Sequence, residues 1–179
     1  ACLPDLINCV KLAFMEGKAA GIDPSYIKQL TDYCFEPLLQ FIDDPEPELI
    51  ACKVESLGEI VKYVGQELIK EDQLQKLFQQ LIVVLEGREK RVQERNARCN
   101  TEDFDEDEKD LIEAENETED EIFEAVVECV GNVLKAYGAK AHTFVDMMLP
   151  GISQLLGSNR STEEQRIGVC LFDDLIEFS

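Results

Sequence analysis

Apolar residues recur every three or four positions along most of the chain, which is the spacing of one face of an α-helix. The pattern extends through seven segments, and no segment shows the strict alternation that is typical of a half-buried strand. It predicts an all-α protein of seven or eight helices. The segments are 3–14, 23–42, 44–65, 71–99, 121–138, 141–157 and 166–178.

Four of these helices have recognisable start signals, and one of them is the T-x-x-Q pattern of Thr162 and Gln165 before 166–178. Asp23 and Asp44 are each followed by proline, so each is expected to be an N-cap with proline at the first helical position. Thr118 and Glu121 form a T-x-x-E capping box, which predicts that a helix begins after Thr118.

One stretch of sequence occurs twice. Residues 54–65 align with 127–138, and the offset of 73 residues exceeds the roughly 40–47 residues of a helix-pair repeat. Setting aside a charged insertion at 88–117 brings the offset back to that length. The sequence therefore predicts an α-solenoid, with an irregular helical bundle as the alternative. The expected repeats are 1–43, 44–87, 118–157 and a partial one at 161–179.

Two equivalent glycines fall in the middle of the repeated helices. Gly58 and Gly131 occupy positions where glycine costs about 1 kcal/mol relative to alanine. Close packing against a neighbouring helix would offset that cost, so we expect a close helix contact at each glycine.

Charge is distributed unevenly. The chain carries a net charge of −21, and fourteen carboxylates but one lysine lie between Glu102 and Glu124. Such a surface repels nucleic acid and anionic lipid and attracts basic partners. Direct nucleic-acid binding and membrane insertion are therefore not expected.

A basic run precedes the acids, and it contains Arg88, Lys90, Arg91, Arg95 and Arg98. A basic helix that leads into an acidic one can fold back as a hairpin with opposite charges facing each other, leaving surplus acids for a basic ligand. A solvated, partly disordered loop is the alternative interpretation of the same residues.

Candidate chemistry is sparse. The acidic run that starts at Asp103 lacks the glycine and the final glutamate of a calcium loop, and His142 is the sole histidine, expected to be exposed or capping. Seven cysteines without a C-x-x-C pair indicate buried free thiols in a reducing compartment. The sequence predicts no catalytic residue, cofactor or metal. Because it starts at Ala1 and has no signal peptide, we expect a cytosolic or nuclear piece of a longer protein.

Two segments resemble the importin-β family of nuclear transport receptors. They are RIGVCLFDDLIEFS (166–179) and the charged stretch 91–126, in which an arginine-rich helix end precedes acids around an aromatic residue. The resemblance implies HEAT repeats, no enzymatic activity and shuttling between cytoplasm and nucleus. It also implies a concave face of second helices for basic cargo and for Ran-GTP, and a convex face of first helices for Phe-Gly nucleoporins.

Particular residues follow from the match to the family's insertion. Asp103, Asp105, Glu106, Asp107 and Glu108 are the candidates for contacts with Ran or with lysine- and arginine-rich cargo such as ribosomal proteins and histones. In that family the main Ran-binding surface lies in N-terminal repeats, which this chain does not include. A HEAT-repeat scaffold subunit and an acidic chaperone for histones or ribosomal proteins remain alternative functions.

Overall fold

The protein is represented by a computed structural model that describes residues 3–41, 46–99, 105–158 and 162–178. Eight α-helices and one short 3₁₀ turn (Gly138–Ala141) make up this part of the chain, with no strand in it, as the sequence predicts. The helices are α1 (Leu3–Ala19), α2 (Pro24–Leu38), α3 (Pro47–Leu68), α4 (Glu71–Arg98), α5 (Glu106–Tyr137), α6 (His142–Val145), α7 (Leu149–Leu155) and α8 (Thr162–Glu177).

The helices form two layers. In the first layer α1 lies beside α3, α3 packs along most of its length on α5, and α5 contacts α8. The second layer contains α2, α4 and the short helices α6 and α7, with Phe78 of α4 stacked on Phe144 of α6 at 5.6 Å between ring centroids. Each first-layer helix except α8 is followed by second-layer helices, which is the arrangement of an α-solenoid.

Neighbouring first-layer helices approach each other closely at the repeated glycines. A Cβ on Gly58 would lie 3.0 Å from Cα of Cys129 in α5, and one on Gly131 would lie 2.8 Å from Oδ2 of Asp174 in α8. The expected helix contacts at both glycines are thus confirmed. Both glycines face the next first-layer helix, so the sequence repeat corresponds to a repeat in packing.

Of the helix starts predicted from the sequence, the one at Asp23 is confirmed, the one at Thr118 is wrong, and α8 begins at Thr162, where the fourth signal lies. Asp23 caps α2 by accepting a 2.8 Å hydrogen bond from the Ser25 amide. The predicted start at Asp44 lies outside the described residues, and α3 has Glu46 as its N-cap instead.

The prediction of a helix start at Thr118 is wrong. Thr118 lies inside α5, where its hydroxyl donates to the carbonyl of Ala114 at 3.1 Å. The N-cap is Asp105, whose carboxylate accepts from the Glu108 amide at 2.9 Å. The segment between them is rich in Glu and contains neither Gly nor Pro, so the helix continues through the capping-box pattern.

The prediction that the cysteines are buried holds for two of the six described cysteines. Cys34 and Cys129 are buried, and burial raises the pKa of the Cys129 thiol to about 12. Cys9, Cys52, Cys99 and Cys170 are exposed, which corrects the prediction of buried thiols for these four, while Cys2 lies outside the described residues. Cysteine is small enough to border an apolar stripe without entering the core, so periodicity alone misplaced them.

The candidate partner-binding surface

The acidic segment and the basic run before it form a helical hairpin. Its first arm is the end of α4, from Arg88 to Arg98, and its second arm is the start of α5, from Glu106 to Glu119. Strong helix formers extend α4 well past Val84, its last buried apolar residue. The first-arm arginines contact progressively later residues of α5 toward the core, so the arms are antiparallel.

Opposite charges face each other along the inside of this hairpin, as the sequence predicts. Arg98 donates to Glu108 at 2.7 Å and to Glu115 at 2.8 Å. One turn closer to the core, Arg95 donates from Nε to the Asn116 side-chain oxygen at 2.9 Å. The hydrogen bonds that Arg98 donates to Glu115, and then those to Glu108, raise the pKa of Arg98 above its ordinary value.

The base of the hairpin is held by two more arginines. Arg91 donates through Nε to Glu119, a carboxylate that is 7 % exposed. A Cβ on Gly87 would lie 2.7 Å from Nη1 of Arg91, so glycine at that position leaves room for the guanidinium to fold back along α4.

Arg88 lies at the junction of three helices. Its Nη1 donates to Glu164 of α8 at 2.8 Å, its Nη2 lies 3.5 Å from Asp120 of α5, and its guanidinium lies 4.6 Å from the ring centroid of Phe123. The hairpin is therefore anchored both to α5 and to the first-layer helix that follows it.

The outer face of α5 carries carboxylates that these arginines do not reach. We call Asp110, Glu113, Glu117, Glu121 and Glu124 the outer acidic stripe. All five are exposed, their spacings of three or four residues place them on one face of the helix, and none forms an ion pair with a described residue. Glu128 continues the same face toward the core.

The stripe extends sideways onto α3. The pKa of Glu55 is raised by partial burial first, and then by the charges of Glu128 and Glu121. Glu55 thus lies close enough to the stripe for the carboxylates to repel one another, and the negative surface covers two neighbouring helices.

The five residues predicted from the sequence have different environments. Asp103 lies outside the described residues. Asp105 is the N-cap of α5, and Glu108 pairs with Arg98, so both hold the hairpin together. Glu106 is highly exposed but lies 3.2 Å from Lys109, and Asp107 is exposed without an ion pair to any described residue.

Sequence reasoning missed the stripe itself. Its signal was available, because the acids at 110, 113, 117, 121 and 124 follow helical spacing. The mistaken start at Thr118 hid this spacing by dividing the stripe between a loop and a helix.

Asp174 and His142 lie in contacts between helices or at helix ends, away from the outer acidic stripe. Asp174 lies 3.9 Å from Lys135 of α5, which supports a role in packing α8 on α5. His142 begins α6 and is the C-cap of the 3₁₀ turn, as one of the two sequence expectations has it, and it is half-buried, with Nε2 buried and unbonded among the described residues. No group of three metal-ligating side chains occurs in the described ranges. Within those ranges, too, every helix is too short or too polar to span a bilayer.

Comparison with known proteins identifies the family. A family model described as importin repeat 6 matches residues 49–158, which is more than half of the chain. This chain belongs to that family. It is a HEAT-repeat segment of the importin-β type, as the sequence resemblance implied.

Solved structures of the karyopherin Kap121p share the fold. A multiply substituted Kap121p mutant aligns with a TM-score of 0.69 at 18% identity over 86% of this chain. Kap121p bound to the extreme C-terminus of the protein phosphatase Cdc14p gives 0.68 at 19% identity over 86% of this chain. Kap121p bound to the SUMO protease Ulp1p gives 0.67 at 18% identity over 85%. The aligned region spans 13%, 14% and 13% of those chains, respectively.

Proposed function

We propose that this chain is the part of a nuclear transport receptor that attracts basic cargo through the outer acidic stripe of α5. The observation that carries the proposal is the separation of charge within the hairpin. The arginines bind carboxylates on its inner face, whereas the stripe residues point outward and form no ion pairs with described residues.

The stripe does not stabilise the helix that carries it. Like charges three or four residues apart destabilise a helix by about 0.2–0.5 kcal/mol per pair. A row of such pairs is therefore a feature that folding alone does not favour, and capture of a positively charged ligand would relieve the repulsion. Long-range attraction of this kind speeds encounter and weakens with salt.

The residues predicted from the sequence fit this proposal in two roles. Glu106 lies one helical turn before Asp110 and extends the stripe, and Asp107 is exposed beside it. Asp103 precedes both and would add a further carboxylate. Asp105 and Glu108 support the surface by capping α5 and by binding Arg98.

Several finer features of the proposal rest on the family. We further propose that the chain is a segment of importin five, also called karyopherin beta-three, which residues 91–126 and 166–179 resemble. The proposal includes release of cargo by Ran-GTP, contacts of first-layer helices with Phe-Gly nucleoporins, and shuttling between cytoplasm and nucleus. The repeat limits of 1–43, 44–87, 118–157 and 161–179 remain part of the proposal.

The test uses the complete receptor, since this chain matches a small part of its solved relatives. Binding of a lysine-rich cargo would be measured with and without Ran-GTP, in the native receptor and in a variant with Asp110→Asn, Glu113→Gln, Glu117→Gln and Glu121→Gln. We expect weaker cargo binding in the variant and release by Ran-GTP in both. Release that ignores Ran-GTP would favour the acidic chaperone, and a permanently bound subunit would favour the scaffold.

A further inference from the structure

A cavity of about 510 Å³ lies between the two arms of the hairpin and the first turn of α3. The α4 arm lines it with Arg91, Arg95 and Arg98, and α3 lines it with Pro47 and Glu48. The α5 arm contributes Thr118, whose hydroxyl is the one hydroxyl in the lining. We call this space the Thr118 cavity.

Thr118 lies level with Arg95 of the opposite arm. Arg95 donates to the side chain of Asn116, two residues before Thr118, and its Nη1 lies 4.0 Å from Glu119, the residue after Thr118. Both Thr118 and Arg95 line the same cavity. We therefore expect a group attached to the Thr118 hydroxyl to reach the guanidinium of Arg95.

The guanidinium of Arg95 can accept a further anion. It has five N–H donors, and its hydrogen bond within the described ranges is the one from Nε to Asn116 at 2.9 Å. Its carboxylate partner Glu119 is 4.0 Å away, whereas Arg98 lies 2.7 Å from Glu108. Because the Arg95 side chain is only 8 % exposed, a stronger anion beside it would form charge-assisted hydrogen bonds with little competition from water.

The sequence around Thr118 indicates how such an anion could be attached. Thr118 is followed by Glu119, Asp120 and Glu121, and it is the one serine or threonine of the chain with three carboxylates directly after it. Protein kinases select substrates partly by charge pattern. The T-x-x-E pattern that does not start a helix here is therefore also a pattern that suits a kinase with a basic substrate site.

The hairpin can open locally to admit a kinase. Among its described residues, Ile112 is the one buried apolar side chain. Segments with few buried apolar contacts open at a low free-energy cost. Thr118 is only partly buried, and opening would break the hydrogen bond from its hydroxyl to the carbonyl of Ala114.

We propose that Thr118 is a phosphorylation site for a kinase that recognises carboxylates after the acceptor residue, and that Arg95 binds the phosphate in the Thr118 cavity. In the reaction, Oγ of Thr118 bonds to the γ-phosphorus of ATP, the bond from that phosphorus to ADP breaks, and the hydroxyl proton passes to a base of the kinase. The phosphate carries a charge of about −1.5 to −2 at pH 7, so it would join the two arms more firmly than the neutral hydroxyl does.

The proposal does not rest on cargo capture by the outer acidic stripe. Thr118 faces α4 across the cavity, whereas the stripe lies on the outward face of α5. Phosphorylation of Thr118 can therefore be present or absent whatever the stripe binds.

The charged groups of the cavity give the phosphate two distinguishable environments. Its carboxylates are those of Glu48, Glu94, Glu115 and Glu119. A phosphate that meets only these would have a second pKa above its ordinary value of about 6, because like charges disfavour the dianion. A phosphate bound to a guanidinium would instead have a second pKa below about 6.

Phosphorylation itself is tested with the 179-residue chain, ATP and an acid-directed casein kinase, and mass spectrometry locates the phosphate. We expect one phosphate on Thr118 and none at this position in Thr118→Ala. Glu121→Gln should slow the reaction by about tenfold, the loss of one charge-assisted contact with the kinase. Glu113→Gln neutralises another exposed acid of α5, five residues before Thr118, and should leave the rate unchanged. An unmodified Thr118, or equal rates in the two glutamine variants, would overturn the proposal.

Binding of the phosphate is tested by a phosphorus NMR titration of the modified chain. We expect a second phosphate pKa below about 6 that returns to about 6 in urea and rises in Arg95→Gln. Circular dichroism verifies the folding of Arg95→Gln, and if that variant fails to fold, the comparison with urea decides. A phosphate pKa at or above about 6 in the folded native chain would overturn the proposal, as would a lowered pKa that a folded Arg95→Gln leaves unchanged.

Discussion

Arg98, in the last turn of α4, donates from Nη1 to both carboxylate oxygens of Glu115 in α5, at 2.9 Å and 2.8 Å. The contact joins two helix arms that project beyond the apolar core. Because each side chain is more than a third exposed, water screens the pair and it contributes little to stability. Its importance is geometric, since it holds α5 with its unpaired acids facing outward.

The position of the first turn of α5 can be tested with two alanine substitutions. Asp105→Ala removes the N-cap and should lower the free energy of unfolding by about 1 kcal/mol. Thr118→Ala should be neutral or slightly stabilising, because alanine is the better helix former in a helix interior. Thermal unfolding measures both. A larger loss for Thr118→Ala than for Asp105→Ala would place the helix start at the capping box.

Alanine substitutions at Gly58, which lies in the contact between α3 and α5, and at Gly151, which lies in open space, should have opposite effects on stability. Gly58→Ala brings a Cβ within 3.0 Å of Cα of Cys129, and the overpacking should outweigh the gain in helix propensity, for a net loss of about 1–2 kcal/mol. Gly151→Ala meets no atom within 4 Å and should be neutral or stabilising by up to about 1 kcal/mol. Chemical denaturation compares them, and an equal response at the two sites would argue against close packing at Gly58.

Neutralising a carboxylate should change the stability of the protein differently on the inner and outer faces of α5. Glu119→Gln removes a buried charge that accepts from Arg91 and should lower the free energy of unfolding by about 1–3 kcal/mol. Glu117→Gln, two residues earlier on the exposed face, should change it by less than about 0.5 kcal/mol or stabilise slightly. Urea titration of both variants gives the comparison. Similar losses would mean that both faces are paired.

The pKa of Glu55 predicts a specific dependence on pH. Partial burial, followed by repulsion from Glu128 and Glu121, raises it above the ordinary value of 4.5. The folded protein therefore holds this proton more tightly than the unfolded chain, and the contribution of Glu55 to stability falls as pH rises from 4.5 to the raised pKa. Glu55→Gln should raise the melting temperature at neutral pH, and the gain should vanish below pH 4.5. A gain that is constant with pH would exclude the repulsion.

Sequence reasoning recovered the fold because its signals are redundant. Each helix repeats its apolar spacing several times, and the pairing of Gly58 with Gly131 marks a repeated close contact that the structure shows. The inner face of the hairpin also followed from opposite charges in adjacent segments. These are local patterns, so they do not require knowledge of distant contacts.

The parts that were missed depend on information that is not local. A T-x-x-E pattern has the same letters at a helix start and inside a helix, and the tertiary contact of Arg91 with Glu119 favours the continuous helix at Thr118. The cavity between α4 and α7 is lined by four helices that are separated in sequence, so no motif indicates it. The exposed cysteines similarly depend on which side of a helix its neighbours cover.

Capture of basic ligands by the outer acidic stripe can be measured as the affinity of the 179-residue chain for a peptide of four lysines and one alanine. The measurement is made at two salt concentrations. The stripe variant carries Asp110→Asn, Glu113→Gln, Glu117→Gln and Glu121→Gln, and a control neutralises four exposed acids elsewhere, at Glu16, Glu71, Asp146 and Glu177. We predict that the native chain and the control bind the peptide in a salt-dependent manner, whereas the stripe variant loses most of both the affinity and the salt dependence. Equal losses in the stripe variant and the control would show that net charge alone attracts the peptide and would contradict the claim.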